Sequence, residues 1–148
     1  MSFKEELWNA ITHGAGFLIS IPVTVLLIIH ATSMNSAIHI VTFSIFGVSL
    51  ILLFLMSTLL HSMPVKYKRF FAILDHSSIY ILIAGTYTPF LLIAIGGTLG
   101  ITLLCIIWSI AIFGIVFKCY FIDRFEKFSL ALYIAMGWMI VFAIKPVY

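Results

Sequence analysis

The chain has 148 residues, 64% of them hydrophobic and only 9% charged, with a mean hydropathy of +1.25. A soluble domain carries charged residues near a quarter of its length. These proportions exclude a globule in water and imply an integral membrane protein, an all-α bundle of transmembrane helices. The net charge is +3, and most of the basic residues lie in short connections. It predicts membrane orientation rather than nucleic-acid binding.

Five apolar runs follow one another: 14–30, 38–60, 71–95, 99–117 and 128–144, uncharged but for Asp75 in the third. A membrane span needs about 20 apolar residues, with a range of about 17–25. Each run is therefore a predicted span of one transmembrane domain over 1–148, and Pro89 is expected to kink the third. The first run lacks a small-residue exit and is followed at once by another span, so no cleavable signal peptide is expected. The connection 31–37 is uncharged. The connection 63–70 carries Lys66, Lys68 and Arg69. Gly96-Gly97-Thr98 makes a tight turn. The connection 118–127 carries Lys118, Arg124 and Lys127 beside Asp123 and Glu126. Basic loops stay cytoplasmic, so the N-terminus and the second and fourth connections are predicted inside a cell (inner or plasma) membrane. Five spans then leave Lys145-Pro146-Val147-Tyr148 outside. Trp8, Tyr67 and Tyr120 fall where an interfacial aromatic belt is expected. Cys105 and Cys119 lie fourteen positions apart. On a helix that is roughly 20 Å, too far for a disulfide, and both are read as free thiols.

This topology gathers polar groups at one depth. Asn9, Thr12 and His13 enter span one from inside, Ser57 and His61 leave span two, and Asp75, His76, Ser77 and Ser78 enter span three. Ser57 and His61 stand at i and i+4, on one helix face. Ionisable groups at membrane depth are costly and are functional candidates by default. A hydroxyl, an imidazole and a carboxylate together can bind a metal, do acid–base chemistry, or form a satisfied polar network between helices. On spacing alone all three readings stay open. His30 and His39 flank the outer loop. Gly14-Ala15-Gly16 and Gly85 read as close-packing positions.

At these residues the sequence resembles the hemolysin III family, the bacterial branch of the progestin and adipoQ receptor superfamily. The matching segments are Glu6-x2-Asn9-x2-Thr12-His13-Gly14-x-Gly16, Ser57-x3-His61, and Leu74-Asp75-His76-Ser77-Ser78-Ile79-Tyr80 through Gly85-Thr86-Tyr87-Thr88-Pro89. The resemblance implies a seven-helix bundle with a zinc ion near its cytoplasmic face. His61 would be one metal ligand, and a His-x3-His pair on the last helix would supply two more. Asp75 would sit beside the metal's water, with Ser57 close by. It also implies a relation to ceramidase-like lipid hydrolases. No His-x3-His occurs in these 148 residues. The chain is therefore expected to be either a fragment incomplete at its C-terminal side, with five helices of seven and part of the zinc site, or a truncated member of the family without a complete zinc site.

Two classes of function follow. One is zinc-assisted hydrolysis of a lipid amide or ester, with Asp75 as general base, His61 as ligand and Ser57 as a hydrogen-bond donor; membrane lipids are then the partners. The other is a non-enzymatic membrane protein: a cytolytic pore, a receptor-like sensor or a regulator of membrane composition. The orientation is directly testable. With Cys105 and Cys119 replaced, a cysteine at Lys68 is expected to resist an impermeant thiol reagent in intact cells, and one at Asn35 to label. The reverse pattern would contradict the predicted topology.

Overall fold

The computed structural model describes residues 2–122 and 124–144, the last three in backbone only. Asp123 and the terminal segment 145–148 lie outside the described residues. The chain forms α1 (Phe3–Ser33), α2 (Ala37–Ser62), α3 (Val65–Pro89), a π-helical turn over Phe90–Ile95, α4 (Gly97–Phe121) and α5 (Glu126–Ile144). The α1, α2 and α4 helices, and α3 together with its π turn, are long and apolar enough to cross a membrane. The all-helical class follows from the solvent: in hydrocarbon every backbone N–H and C=O must be satisfied within the segment.

The helices run past the apolar runs at the end where the basic residues lie. The α3 helix begins at Val65, so Lys66, Lys68 and Arg69 belong to its first turns and the connection shrinks to Met63 and Pro64. The α4 helix continues to Phe121, which places Lys118 on a helix rather than in a loop. Long basic side chains let a helix extend into the headgroup layer while their cationic ends find polar surroundings. At the start of α1, Ser2 and Glu5 form a reciprocal cap. The Glu5 amide donates to Ser2 Oγ (3.4 Å) and the Ser2 amide to Glu5 Oε2 (2.7 Å). Glu5 and Glu6 sit in the first turn, where the helix dipole favours negative charge.

Hydroxyls inside the spans are spent locally. Thr24 donates to the Ser20 carbonyl (2.7 Å), Ser49 to Phe46 (2.7 Å) and Thr88 to Ala84 (2.8 Å). Small residues then let the helices approach. A Cβ on Gly47 would meet Thr24 of α1 at 2.3 Å, one on Gly85 would meet Ser49 of α2 at 2.4 Å, and one on Gly114 would meet the Tyr80 ring of α3 at 2.4 Å. The resulting order is α1 on α2, α2 on α3 and α3 on α4, with α5 against both α3 and α4. The most enclosed packing is Tyr80, Ala84, Tyr87, Leu91, Ile107, Ala111 and Met136, between α3, α4 and α5. Tyr87 latches α5: its hydroxyl donates to the Gly137 carbonyl (2.8 Å) and accepts from the Ile140 amide (2.9 Å). Trp108 of α4 donates to Thr88 Oγ1 (3.1 Å). Large apolar side chains such as Leu18, Leu26, Ile112 and Trp138 point outward, as a lipid-facing surface requires.

Pro89 closes the α-helical part of α3, and the next six residues wind as a π-helix ended by Gly96 at φ +64°. A proline removes an i→i−4 hydrogen bond, and a π turn is one way to accommodate that loss. Cys105 and Cys119 are free and exposed, as the spacing predicted.

The glycine contacts give a stability prediction. Gly114→Ala forces its new methyl into the buried Tyr80 ring and is expected to destabilise the chain by about 1–3 kcal/mol. Gly137→Ala has open space within 4 Å and is expected to lose nothing. Thermal unfolding of both variants in detergent checks the difference.

Candidate functional site

Alternating helix directions bring the start of α1, the end of α2, the start of α3, the end of α4 and the start of α5 to one end of the bundle. His61 lies in the last turn of α2, one turn after the buried Ser57. Its Nδ1–H donates to Glu6 Oε2 of α1 at 2.8 Å. The direction follows from the partner, because a carboxylate only accepts. The other Glu6 oxygen pairs with the Lys68 ammonium of α3. One carboxylate therefore joins three helices. His13, two turns along α1 from Glu6, packs its ring 5.9 Å from that of His61 and 6.1 Å from that of Phe54. The Nδ1 of His13 is buried without a hydrogen-bond partner.

The predicted residues divide between two places. Ser57, His61 and His13 lie at the α1–α2 side. Asp75 and His76 lie about three turns into α3. Ser78 donates to the Asp75 carbonyl (2.6 Å), but no hydrogen bond or ion pair joins Asp75 to His61 among the described residues. His76 faces the other side of α3: its carbonyl accepts from the Tyr133 hydroxyl of α5 (3.0 Å), and it lines a cavity between α4 and α5. At the opposite end of the bundle His39 Nδ1 bonds Ser36 Oγ (2.8 Å) and His30 is exposed.

Glu6 is the member that spacing did not single out. A signal for it existed: Glu6, Asn9 and His13 fall at i, i+3 and i+7, one face of α1. What the sequence does not display is that this face meets the end of α2.

The donor set can be tested against a zinc ion. Among the described residues no three His, Cys, Asp or Glu side chains converge as a metal site. These residues alone therefore do not enclose the ion. The part that fits is His61. Metal-binding imidazoles typically give their second ring N–H to a carboxylate, which fixes the tautomer and leaves the other nitrogen as ligand. The Glu6 contact at Nδ1 does this and leaves Nε2 of His61 free of any such bond.

Long apolar helices, outward-facing apolar side chains and polar groups gathered at one end define a multi-pass α-helical membrane protein. A family model described as Haemolysin-III related matches residues 1–148, and the chain belongs to that family. It is 58% identical over 146 residues to Hemolysin-3 of Bacillus cereus, covering 98% of this chain and 67% of that protein. It is 57% identical over 148 residues to a Hemolysin-3 homolog of Bacillus subtilis (strain 168), covering 99% of this chain and 70% of that one. No solved structure matches the chain.

Proposed function

We propose that the chain is the larger part of a membrane-embedded, zinc-dependent lipid amide or ester hydrolase. Its site lies at the cytoplasmic end of the bundle, with α5 as a fifth crossing. The observation that carries the reading is the Glu6 carboxylate on Nδ1 of His61. An imidazole held this way at a membrane interface is prepared to give Nε2 to a metal. His61 is the ligand this chain supplies, and Glu6 is its positioning residue. Lys68 balances the charge of Glu6 and keeps it in place. Zinc, when bound, supplies the Lewis acidity that ester and amide hydrolysis needs. The remaining ligands are not among the converging groups of the described residues. Ser57, on the same face one turn earlier, offers a hydroxyl donor toward a substrate carbonyl. Asp75 offers a carboxylate that can accept a proton from water, and it has no ion pair to compete for that role among the described residues.

The relatives' names denote haemolysis, which keeps a lytic activity as the rival reading. A pore through a single chain needs a continuous polar stripe. In α4 the Thr102 and Ser109 hydroxyls bond the carbonyls of Thr98 (2.8 Å) and Cys105 (2.7 Å) of their own helix. That use of the hydroxyls favours the hydrolase.

The zinc content tests the reading. Purified chain 1–148 is expected to carry well under one equivalent by elemental analysis, because a catalytic site takes three protein ligands. A form extended to the seven helices that the family resemblance implies is expected to hold close to one. His61→Ala should abolish that binding, and Glu6→Gln should weaken it by about 10–100-fold. The extended form should release fatty acid from a ceramide-like lipid, and Asp75→Asn should suppress the release. Stoichiometric zinc in chain 1–148 after long dialysis, or zinc unaffected by His61→Ala, would show that the ligand set is wrong.

A further inference from the structure

A second polar site lies on the other side of α3 from His61, and the proposed hydrolase chemistry makes no use of it. It is a cavity of about 380 Å³ whose walls include His76 of α3, Lys118 of α4, and Glu126, Lys127, Ser129 and Tyr133 of α5. Two wall residues are almost fully enclosed, Lys118 at 3% exposure and Ser129 at 1%. Burying an ammonium is strongly unfavourable unless it is paired. Yet no carboxylate of the described residues comes within 4.0 Å of the Lys118 nitrogen. The Ser129 hydroxyl, which lies beside that of Tyr80, and Nδ1 of His76 are also buried without a hydrogen bond of good geometry. Buried polar groups are nearly always satisfied, so two unpartnered groups beside a buried ammonium without an ion pair among the described residues point to a missing ligand.

The chemistry of the wall selects that ligand. On the described wall two lysines stand with one acid, Glu126, while the Asp75 carboxylate acts on His76 and Tyr133 from α3, so cationic side chains on the wall outnumber acidic ones. The buried ammonium and the hydroxyl and imidazole without partners are all able to donate hydrogen bonds. The start of α5, a 19-residue helix, adds its amides and the positive end of its dipole. A tetrahedral anion with several acceptor oxygens satisfies all of these at once. The position favours a membrane source: Lys118 stands one turn before the end of α4. Beside it Phe117, Phe121, Phe125 and Phe128 pack ring on ring, with centroids 4.9–6.0 Å apart, across the α4–α5 turn. Basic pockets between transmembrane helices at this level take phospholipid headgroups. We propose that the cavity bounded by His76, Lys118, Lys127 and Ser129 is a phosphate-binding site, filled in the membrane by the headgroup of an anionic phospholipid.

The test uses the whole chain in detergent. Native mass spectrometry and thermal unfolding would be run with phosphatidylglycerol, with a glucosyl-diacylglycerol of the same acyl chains but no phosphate, and with inorganic phosphate. Phosphatidylglycerol is expected to stay bound under activation that strips the glucolipid, and to raise the unfolding midpoint. Lys118→Met and Ser129→Ala should each weaken that binding about tenfold or more, the effect of losing a hydrogen bond to a charged group. Lys118→Arg should retain it. Lys118→Met removes an unpaired buried charge, so it should fold at least as well as the parent without lipid and lose the lipid-induced shift. Inorganic phosphate that stabilises the chain while phosphatidylglycerol does not would assign the same site to a soluble phosphate. Equal retention of both lipids with no response to inorganic phosphate, or undiminished phosphatidylglycerol binding by Lys118→Met, would overturn the proposal.

Discussion

The carboxylate of Glu6 is shared between the His61 imidazole and the Lys68 ammonium on two other helices, and the arrangement of the candidate site depends on this sharing. The α1 helix has otherwise little to fix its rotation. Most of its length faces outward, and its buried residues are Ser20, Thr24 and Ala31. Small-residue packing sets how closely α1 and α2 approach, from Gly47 against Thr24 to Gly16 against Phe54 and Gly14 against Thr58. At the ends the bonds of Glu6 to His61 and Lys68 bring α1 to the turn between α2 and α3. A hydrogen bond involving a charged group contributes about 1.5–3 kcal/mol, more than a neutral one. This contact is also partly screened from water, with side-chain exposures of 14% for His61 and 21% for Glu6. The same contact fixes the tautomer of His61, so structural and chemical roles reside in one carboxylate.

The two sides of α3 have different characters. Toward α1 and α2 the polar groups are paired, Glu6 with His61 and Lys68, and only His13 keeps an unpartnered ring nitrogen. Toward α4 and α5 the Tyr80 and Ser129 hydroxyls and Nδ1 of His76 are enclosed without a hydrogen bond of good geometry, and the buried Lys118 ammonium forms no ion pair among the described residues. Satisfied groups hold helices together, whereas unsatisfied groups create demand for a ligand. The bundle thus combines an organised imidazole site with a separate anion-seeking cavity at the same membrane depth.

Much of the fold was legible because hydrocarbon allows few solutions. Uncharged runs of the right length had to become helices, and their order in the chain fixed which ends meet. The pairing of Ser57 with His61 followed from helical periodicity alone. Helix ends were less legible, since α3 and α4 continue beyond the apolar runs on the strength of residues that also suit a loop. For that reason Lys118 read as an orienting loop charge, while the fold buries it on α4. The pairing of Glu6 with His61 was not legible, because it links positions 55 apart through the packing of two helices. The same holds for the placement of His76 against Tyr133 of α5, away from His61. Spacing shows which residues share a helix face, and only packing shows what that face meets.

The account stands or falls on whether Glu6 couples α1 to α3 as well as to His61. A charge reversal measures this directly, by thermal unfolding of the chain in detergent with Glu6→Lys, Lys68→Glu and both together. Each single reversal places like charges in contact and is expected to lower stability. The double reversal restores an opposite pair, so its loss should be smaller than the sum of the singles by about 0.5–3 kcal/mol. Strict additivity of the two losses would contradict the shared carboxylate and, with it, the positioning of His61.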